Sequence, residues 1–395
     1  VPFKSIVAHS AFGPRFAGEL YSDDGNVATL RTTDLSSHGE ISYSTMPLAR
    51  IDENKFESHF LKKGDLVISR SGRIGTAAIF EEFDLPVLPG AFLLRFRLCD
   101  DVEPKFYRYF FNSPVGRSLI LSVAKGAAQQ NINLTNVELL SIPRPSKREQ
   151  KAIVSILSPY DDLIANNRRR IALLEEAARL LYREWFVCFR FPGHEHVKIV
   201  AGNPEGWERL TLGAVAETNH DSYSAKELPD EINYIDISSV TRGRITSKTL
   251  MTAAEAPGRA RRKARDGDII WSNVRPNLRA HALILEPEAN DVFSTGFTVL
   301  TPKKIPFTWL YQFVTADRFV GHLVNHATGA GYPAVRPDDF ERATVVVPPK
   351  ALLTYFHETT EPSFRLIAKL NIQNAKLAQA RDLLLPRLMS GEITA

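Results

Sequence analysis

The sequence predicts an α+β fold built twice: two strand-rich domains, each followed by a long helix, in tandem. Three observations predict it. Markers recur at one constant offset, short β-patterned runs fill the first part of each copy, and a heptad seam closes each copy. Lys62-Lys63-Gly64-Asp65-Leu66-Val67-Ile68-Ser69 returns as Ala264-Arg265-Asp266-Gly267-Asp268-Ile269-Ile270-Trp271-Ser272, with the Gly-Asp pairs 203 residues apart. Lys125-Gly126-Ala127 returns as Thr328-Gly329-Ala330, and Ser158-Pro159 as Glu361-Pro362, at the same offset. One offset across three kinds of local sequence means duplication, the signal to seek before any motif.

The elements follow in order. Residues 1–147 form the first strand-rich domain, with runs such as Leu66-Val67-Ile68 and Phe92-Leu93-Leu94-Arg95-Phe96 broken by Gly, Pro and Asp. One inserted helix is expected from Pro104 to Val123, on Phe106, Tyr109, Phe110, Leu119 and Ile120. Residues 148–190 form the first helical region. Residues 191–206, rich in Gly, Pro and His, read as a linker. Residues 207–350 repeat the strand-rich plan with a helix near Phe307 to Val324, and residues 351–395 form the second helical region.

The helical regions carry the clearest period. Leu163, Asn167, Ile171, Leu174, Ala178, Leu181 and Trp185 step by 3 and 4, as do Ile367, Leu370, Asn374, Leu377, Arg381, Leu384 and Leu388. Such narrow seams are of the coiled-coil type, and Asn167, Asn374 and Arg381 are placed to set register. Connectivity then calls for antiparallel pairing of the two helices between the strand-rich domains. About 24 residues after each proline give a rod of roughly 36 Å, near one turn of B-DNA. The competing reading is that each helix packs only on its own domain.

Composition bounds the class. The chain has 395 residues, 44% hydrophobic and 24% charged, with a net charge of +4, ordinary for two or three packed domains. No secretory leader and no membrane span is expected, and a cytoplasmic location fits. Cys99 and Cys188 sit in no CxxC pair, which argues against a disulfide framework.

Catalytic parts are not found. No glycine precedes a lysine, so no Walker-type ATP site is expected. Gly329-Ala330-Gly331-Tyr332-Pro333-Ala334 has the dinucleotide spacing, yet Pro333 falls where a helix should open, so a recognition or turn loop is the reading. No Asn-Pro-Pro-aromatic tetrapeptide of the amino-methyltransferase kind occurs. Cys188, His194 and His196 lack a fourth ligand, and no metal is expected.

Basic and amide residues do fall at matching places. Arg70, Ser71 and Arg73 follow the first Gly-Asp hairpin; Ser272, Asn273, Arg275, Asn277 and Arg279 follow the second. Further on come Gln129, Gln130, Asn131 and Asn133 in the first copy, and Tyr332 and Arg336 in the second. Arginine forks and amides are the groups that grip phosphates and base edges; taken singly, each also reads as a solvated loop residue. Arg242 and Arg244 are added as basic candidates of the second copy. Arg259, Arg261, Arg262, Lys263 and Arg265 read as a phosphate rail or as an exposed helix face. Arg168-Arg169-Arg170 reads as a solvated flank or a partner surface.

At Gly126-Ala127-Ala128-Gln129-Gln130-Asn131-Ile132, Leu140-Ser141-Ile142-Pro143-Arg144-Pro145, Glu149-Gln150 with Ile153 and Leu157, Asp162-Leu163-Ile164 and Trp185-Phe186, the sequence resembles the specificity subunits of bacterial type I restriction–modification enzymes. Leu30-Arg31-Thr32-Thr33-Asp34-Leu35 also resembles the opening of that family, which adds Arg31, Thr32 and Thr33 to the DNA-binding candidates. The second helical region departs from the pattern, with Tyr355-Phe356-His357 where the first has Glu149-Gln150-Lys151. The resemblance implies a non-catalytic reader of double-stranded DNA. Its two target-recognition domains each bind half of a split site, and its paired helices set the gap. Two modification subunits holding S-adenosylmethionine, and motor-nuclease subunits using ATP and Mg²⁺, are implied as partners, with no cofactor in this chain. A structural coiled-coil adaptor and a self-contained DNA enzyme are the competing classes.

Overall fold

The structure, a computed structural model, describes residues 1–36, 38–124, 131–224 and 226–393. The chain divides into two compact units, residues 1–166 with 374–395, and residues 167–373. Both are α+β.

The first unit contains β1 (Val7–Phe12), β2 (Val27–Leu30), β3 (Leu48–Ala49), β4 (Leu66–Ser69), β5 (Ala77–Ile79), β6 (Val87–Pro89) and β7 (Leu93–Leu98). An antiparallel sheet runs β1-β7-β4-β5, and a second runs β3-β2-β6 with β2 parallel to β6. The expected inserted helix is two helices, α1 (Pro104–Asn112) and α2 (Pro114–Ser122). Pro114 breaks it: a proline lacks the N–H that would continue the ladder and pushes the residue before it out of the helical region. Ser113 is accordingly extended, and its hydroxyl accepts the Gly116 N–H at 3.1 Å as the cap of α2. A short α3 (Leu134–Glu138) precedes α4 (Lys147–Tyr182). Phe3, Phe96, Phe106 and Phe111 fill the core between sheet and helices.

The second unit contains β8 (Ile199–Val200), β9 (Asn203–Pro204), β10 (Glu208–Thr211), β11 (Ala216–Thr218), β12 (Glu231–Ile235), β13 (Val240–Thr241), β14 (Arg244–Ile245), β15 (Thr249–Thr252), β16 (Ala260–Arg262), β17 (Ile269–Ser272), β18 (His281–Leu283), β19 (Asp291–Ser294), β20 (Phe297–Pro302) and β21 (Thr344–Val347). Its helices are α5 (Phe307–Thr315), α6 (Asp317–His326), α7 (Pro337–Glu341) and α8 (Lys350–Met389), the last up to residue 373. The antiparallel sheet β11-β20-β17-β18 repeats the first unit's order, and β15-β12-β19-β16 again holds a parallel pair, β12 with β19. The first residues of β17, α5, α7 and α8 lie 203 after those of β4, α1, α3 and α4. The duplication seen in sequence is thus a duplication of topology.

The Gly-Asp marker has a physical reason. Gly64 and Gly267 sit at φ +87° and +86°, a left-handed turn that glycine enters without a Cβ penalty. The aspartate after each is buried and accepts a backbone N–H three residues back, Lys62 to Asp65 at 2.9 Å and Arg265 to Asp268 at 2.7 Å.

Both long helices run through their prolines, 159 and 362, rather than starting after them. Ser146 and Glu149 form a capping box at the start of α4, the Ser146 N–H and hydroxyl donating to the Glu149 carboxylate at 2.8 and 2.7 Å. Within the first unit, Leu385 and Leu388 of α8 share the core with Ile153 and Leu157 of α4, while Arg381 meets Asp161. Within the second, Asn167 donates to Gln373 at 3.2 Å, Ile171 clusters with Ile367 and Leu370, and Tyr182 packs on Phe356. Rising numbers in α4 meet falling numbers in α8 in each unit, so the segments pair antiparallel. The first seam is corrected at two places. Leu163 is 46% exposed while Ile164 is buried, and Tyr182 rather than Leu181 is the buried position before Trp185. Alternation of 3 and 4 leaves neighbouring positions ambiguous; packing picks the one facing the partner.

Candidate nucleic-acid interface

In the first unit the β4–β5 loop carries Arg70, Ser71 and Arg73. The Arg70 backbone is pinned on both sides: its N–H donates to Phe92 and its carbonyl accepts from Ile132. That second bond brings the segment after α2 against the loop, where Arg70 Nε donates to Asn131 Oδ1 at 3.1 Å. The guanidinium also stands 5.2 Å from the Phe12 ring centroid. Phe12 and Phe92 are large, exposed aromatics that were not among the candidate DNA-binding residues; only the fold brings three distant segments around one arginine. Arg73 is exposed and Ser71 half-buried on the same loop. Gln129 and Gln130 lie outside the described residues.

The second unit assembles the same surface from different residues. The β17–β18 loop holds two arginines in the left-handed region, Arg275 at φ +51° and Arg279 at φ +55°, each costing about 1–2 kcal/mol for a residue with a Cβ. Strain of this kind concentrates at functional sites. The Arg275 N–H donates to Pro333 and its guanidinium to the Gly331 carbonyl at 3.2 Å, stacked 4.6 Å from the ring of Tyr332. Tyr332 is 73% exposed. A bridge between Val274 and Ala334 ties the two loops together. Hence both copies place an arginine of the hairpin loop on an exposed aromatic.

Other candidates are held in structural bonds. Ser272 is buried and donates to the Val274 carbonyl at 3.1 Å; Asn273 accepts from Thr298 at 2.6 Å. Asn133 caps α3 through the Asn136 N–H at 2.7 Å, and the Arg336 N–H donates to Asp339 at 2.8 Å at the start of α7. Arg31 grips the buried Asp34 with two nitrogens, at 3.2 and 3.0 Å, and donates to the Thr45 carbonyl. Thr32 and Thr33 form one short turn with Asp34. Asn277 is exposed on the β17–β18 loop, and Arg279 reaches Asp317 at 2.5 Å. That bond holds the Asp317 carboxyl below the usual carboxylate range. Arg242 and Arg244 lie on the β13–β14 hairpin, Arg242 bridged to His281 at the start of β18.

The basic run is corrected in form: residues 260–262 are strand β16, not a helix face. Lys263 pairs with Asp221 at 3.1 Å and lies over the Tyr223 ring, and Arg262 donates to Ser222 at 3.0 Å. Burial lowers the Arg262 pKa. Arg259 and Arg265 of the run are exposed, the other three half-buried. Among the described residues no group of three or more His, Cys, Asp or Glu is placed to hold a metal ion. No described helix is long and apolar enough to cross a membrane.

Two cationic, aromatic-flanked loop surfaces thus lie on one duplicated α+β scaffold. Residues 7–176 match the family described as the type I restriction modification DNA specificity domain. Over 93% of its length the chain is 23% identical to the type I restriction enzyme MjaIX specificity subunit of Methanocaldococcus jannaschii, covering 87% of that protein. It is 22% identical to the HindI specificity subunit of Haemophilus influenzae, covering 84% of this chain and 87% of the relative. The solved S subunit of a type I restriction–modification system from M. genitalium shares the fold, with a TM-score of 0.56 at 20% identity over 98% of this chain and 95% of that one. Less than half of the chain thus matches that family model, and the relatives it resembles along most of its length are type I restriction enzyme specificity subunits. The adaptor reading finds no support among these relatives.

Proposed function

We propose that this chain is the non-catalytic reader of a bipartite DNA target. The loop surface of the first unit reads one half, that of the second unit reads the other, and the paired α4 and α8 set the gap. Two methyltransferase subunits dock on the helical regions and supply S-adenosylmethionine chemistry on adenine. Motor-nuclease subunits using ATP and Mg²⁺ join that core. The observation that carries the reading is the repeated surface: one topology twice, with Arg70, Asn131 and Phe12 in one copy and Arg275 and Tyr332 in the other. A constant framework with different polar groups suits two readers of different sequences, because base identity is read by the donors and acceptors presented to the groove.

Sequencing of methylated bases in a host carrying this chain and its modification subunit tests the proposal. A two-part motif with a fixed gap is expected; a single contiguous motif overturns it. The purified chain alone is expected to show no methyltransferase, ATPase or nuclease activity. Any such activity lost on mutation within the chain contradicts the non-catalytic role.

A further inference from the structure

The second unit contains a cleft of about 840 Å³ between the later turns of α4, the β13–β14 hairpin and helices α5 and α6. Six arginines line it: Arg179, Arg183, Arg209, Arg242, Arg279 and Arg318. Two of these are neutralised within the cleft, Arg179 by Glu176 at 2.6 Å and Arg279 by Asp317 at 2.5 Å. The remaining carboxylate, Glu175, has its pKa raised by burial, against the pull of Arg244 and Arg242. Among the described residues, Arg183, Arg209, Arg242 and Arg318 make no side-chain hydrogen bond and no ion pair.

A protein surface normally intersperses its charges, because clustered like charges repel and gain nothing until a counter-ion arrives. Four exposed guanidiniums around one cleft, none held by a carboxylate hydrogen bond, make a cationic surface suited to an anion. The local backbone agrees. Helix α4 widens into a π-turn at Arg183–Val187, a feature that recurs at functional sites. Gly243, at φ +73°, packs so closely that a Cβ would stand 3.2 Å from the Tyr311 hydroxyl and 4.0 Å from Glu175, which holds the Arg242 hairpin against the cleft wall. Buried in the same wall are the ring nitrogens His281 Nδ1 and Trp309 Nε1, neither with a hydrogen-bond partner.

We propose that this cleft is a phosphate-binding site, its fork-shaped guanidiniums gripping phosphate oxygens as arginine does in bidentate pairs. The shared chemistry is the phosphate group, whether from a DNA backbone passing the β17–β18 loop or from a free di- or polyphosphate. Only the DNA source rests on the reading proposed above. Arg183→Gln/Arg318→Gln is the test variant, and Arg190→Gln, whose arginine lies outside the cleft and pairs with Glu184, is the control.

Two measurements are made on the full chain. The first is thermal unfolding with inorganic pyrophosphate. The second is the salt dependence of duplex binding by the chain with its modification subunit. If the source is free phosphate, pyrophosphate raises the wild-type Tm by about 2 °C or more, and the double variant loses the shift. If the source is DNA, the slope of log K against log salt falls by about 2 in the double variant, while the methylated motif stays the same. Either result supports the site. A double variant that matches Arg190→Gln in both measurements overturns it. Loss of the motif with an unchanged slope would also overturn it, since that is the mark of base reading rather than phosphate contact.

Discussion

Asp161 in α4 is the hub of a polar cluster where α4 and α8 pair, and removing its charge should be costly. Its carboxylate accepts from Arg381 at 2.6 Å, from the Tyr109 hydroxyl at 2.7 Å and from Arg108. Asp161 is 14% exposed and Arg381 only 6% at the side chain. Asp161→Asn strips a carboxylate partner from Arg108, while Arg381 keeps Asp382 at 2.8 Å. Breaking a buried pair from one side costs about 3–5 kcal/mol; the lower end applies here because Asp382 remains. Arg381→Met leaves Asp161 with Arg108 and Tyr109, so the loss is about 1.5–2 kcal/mol, the low end for a hydrogen bond to a charged group. In a unit of this size the first change lowers Tm by roughly 6–12 °C. Calorimetry of the transition assigned to the first unit measures both. The pH dependence gives a second check. Burial pushes the Asp161 pKa up, but Arg108, Tyr109 and Arg381 outweigh it and hold it below its ordinary value. A carboxylate with a lowered folded pKa contributes stability that is complete above the unfolded value, about 4, and is lost as pH falls through the folded one. The cost of Asp161→Asn should therefore be constant from pH 5 to 8 and shrink only below about pH 4. Equal costs for the two variants at pH 7, or a cost already shrinking at pH 6, would refute the reasoning.

His281 is buried, and burial lowers its pKa to about 4. A histidine that stays neutral when folded leaves stability intact above the unfolded value of about 6.5 and removes it progressively down to about 4, by about 3 kcal/mol in all. Denaturant titrations of wild type and His281→Gln between pH 7 and 4 should show that slope in the wild type alone. The corrected seam predicts that Ile164→Ala costs about 2–4 kcal/mol and Leu163→Ala under about 0.5 kcal/mol by thermal unfolding; the reverse order would restore the original seam. Inserting one heptad after Ala178 adds about 10 Å to α4, or about three base pairs. Methylated-base sequencing should show a longer gap between unchanged half-sites, and an unchanged gap would remove the spacer role from the helices.

The duplication was legible because repeated turn chemistry leaves fixed letters. A left-handed Gly followed by a buried Asp has few substitutes, so Gly64-Asp65 and Gly267-Asp268 kept their spacing while their partners diverged. Asp65 now takes a two-bond grip from Arg97, at 2.9 and 2.8 Å, whereas Asp268 stands 3.7 Å from His220. Leu163 in the first seam and Leu384 in the second were each misplaced by one, because the neighbours Ile164 and Leu385 are equally apolar and are the buried ones. The hairpin loops were singled out by their arginines and amides. Their joining was not, because Arg70 and Asn131 lie 61 residues apart and only the sheet returns one to the other. The arginine cleft escaped for the same reason: Arg183, Arg209, Arg242 and Arg318 share no period and no motif, and an unpaired charge is visible only once its neighbours are placed.

Exchange of residues 1–147 for the equivalent domain of a relative, followed by sequencing of methylated bases, tests most directly whether each unit reads its own half-site. The account predicts a new first half-site, an unchanged second half-site and an unchanged gap. A change in both halves together, or in neither, would contradict it.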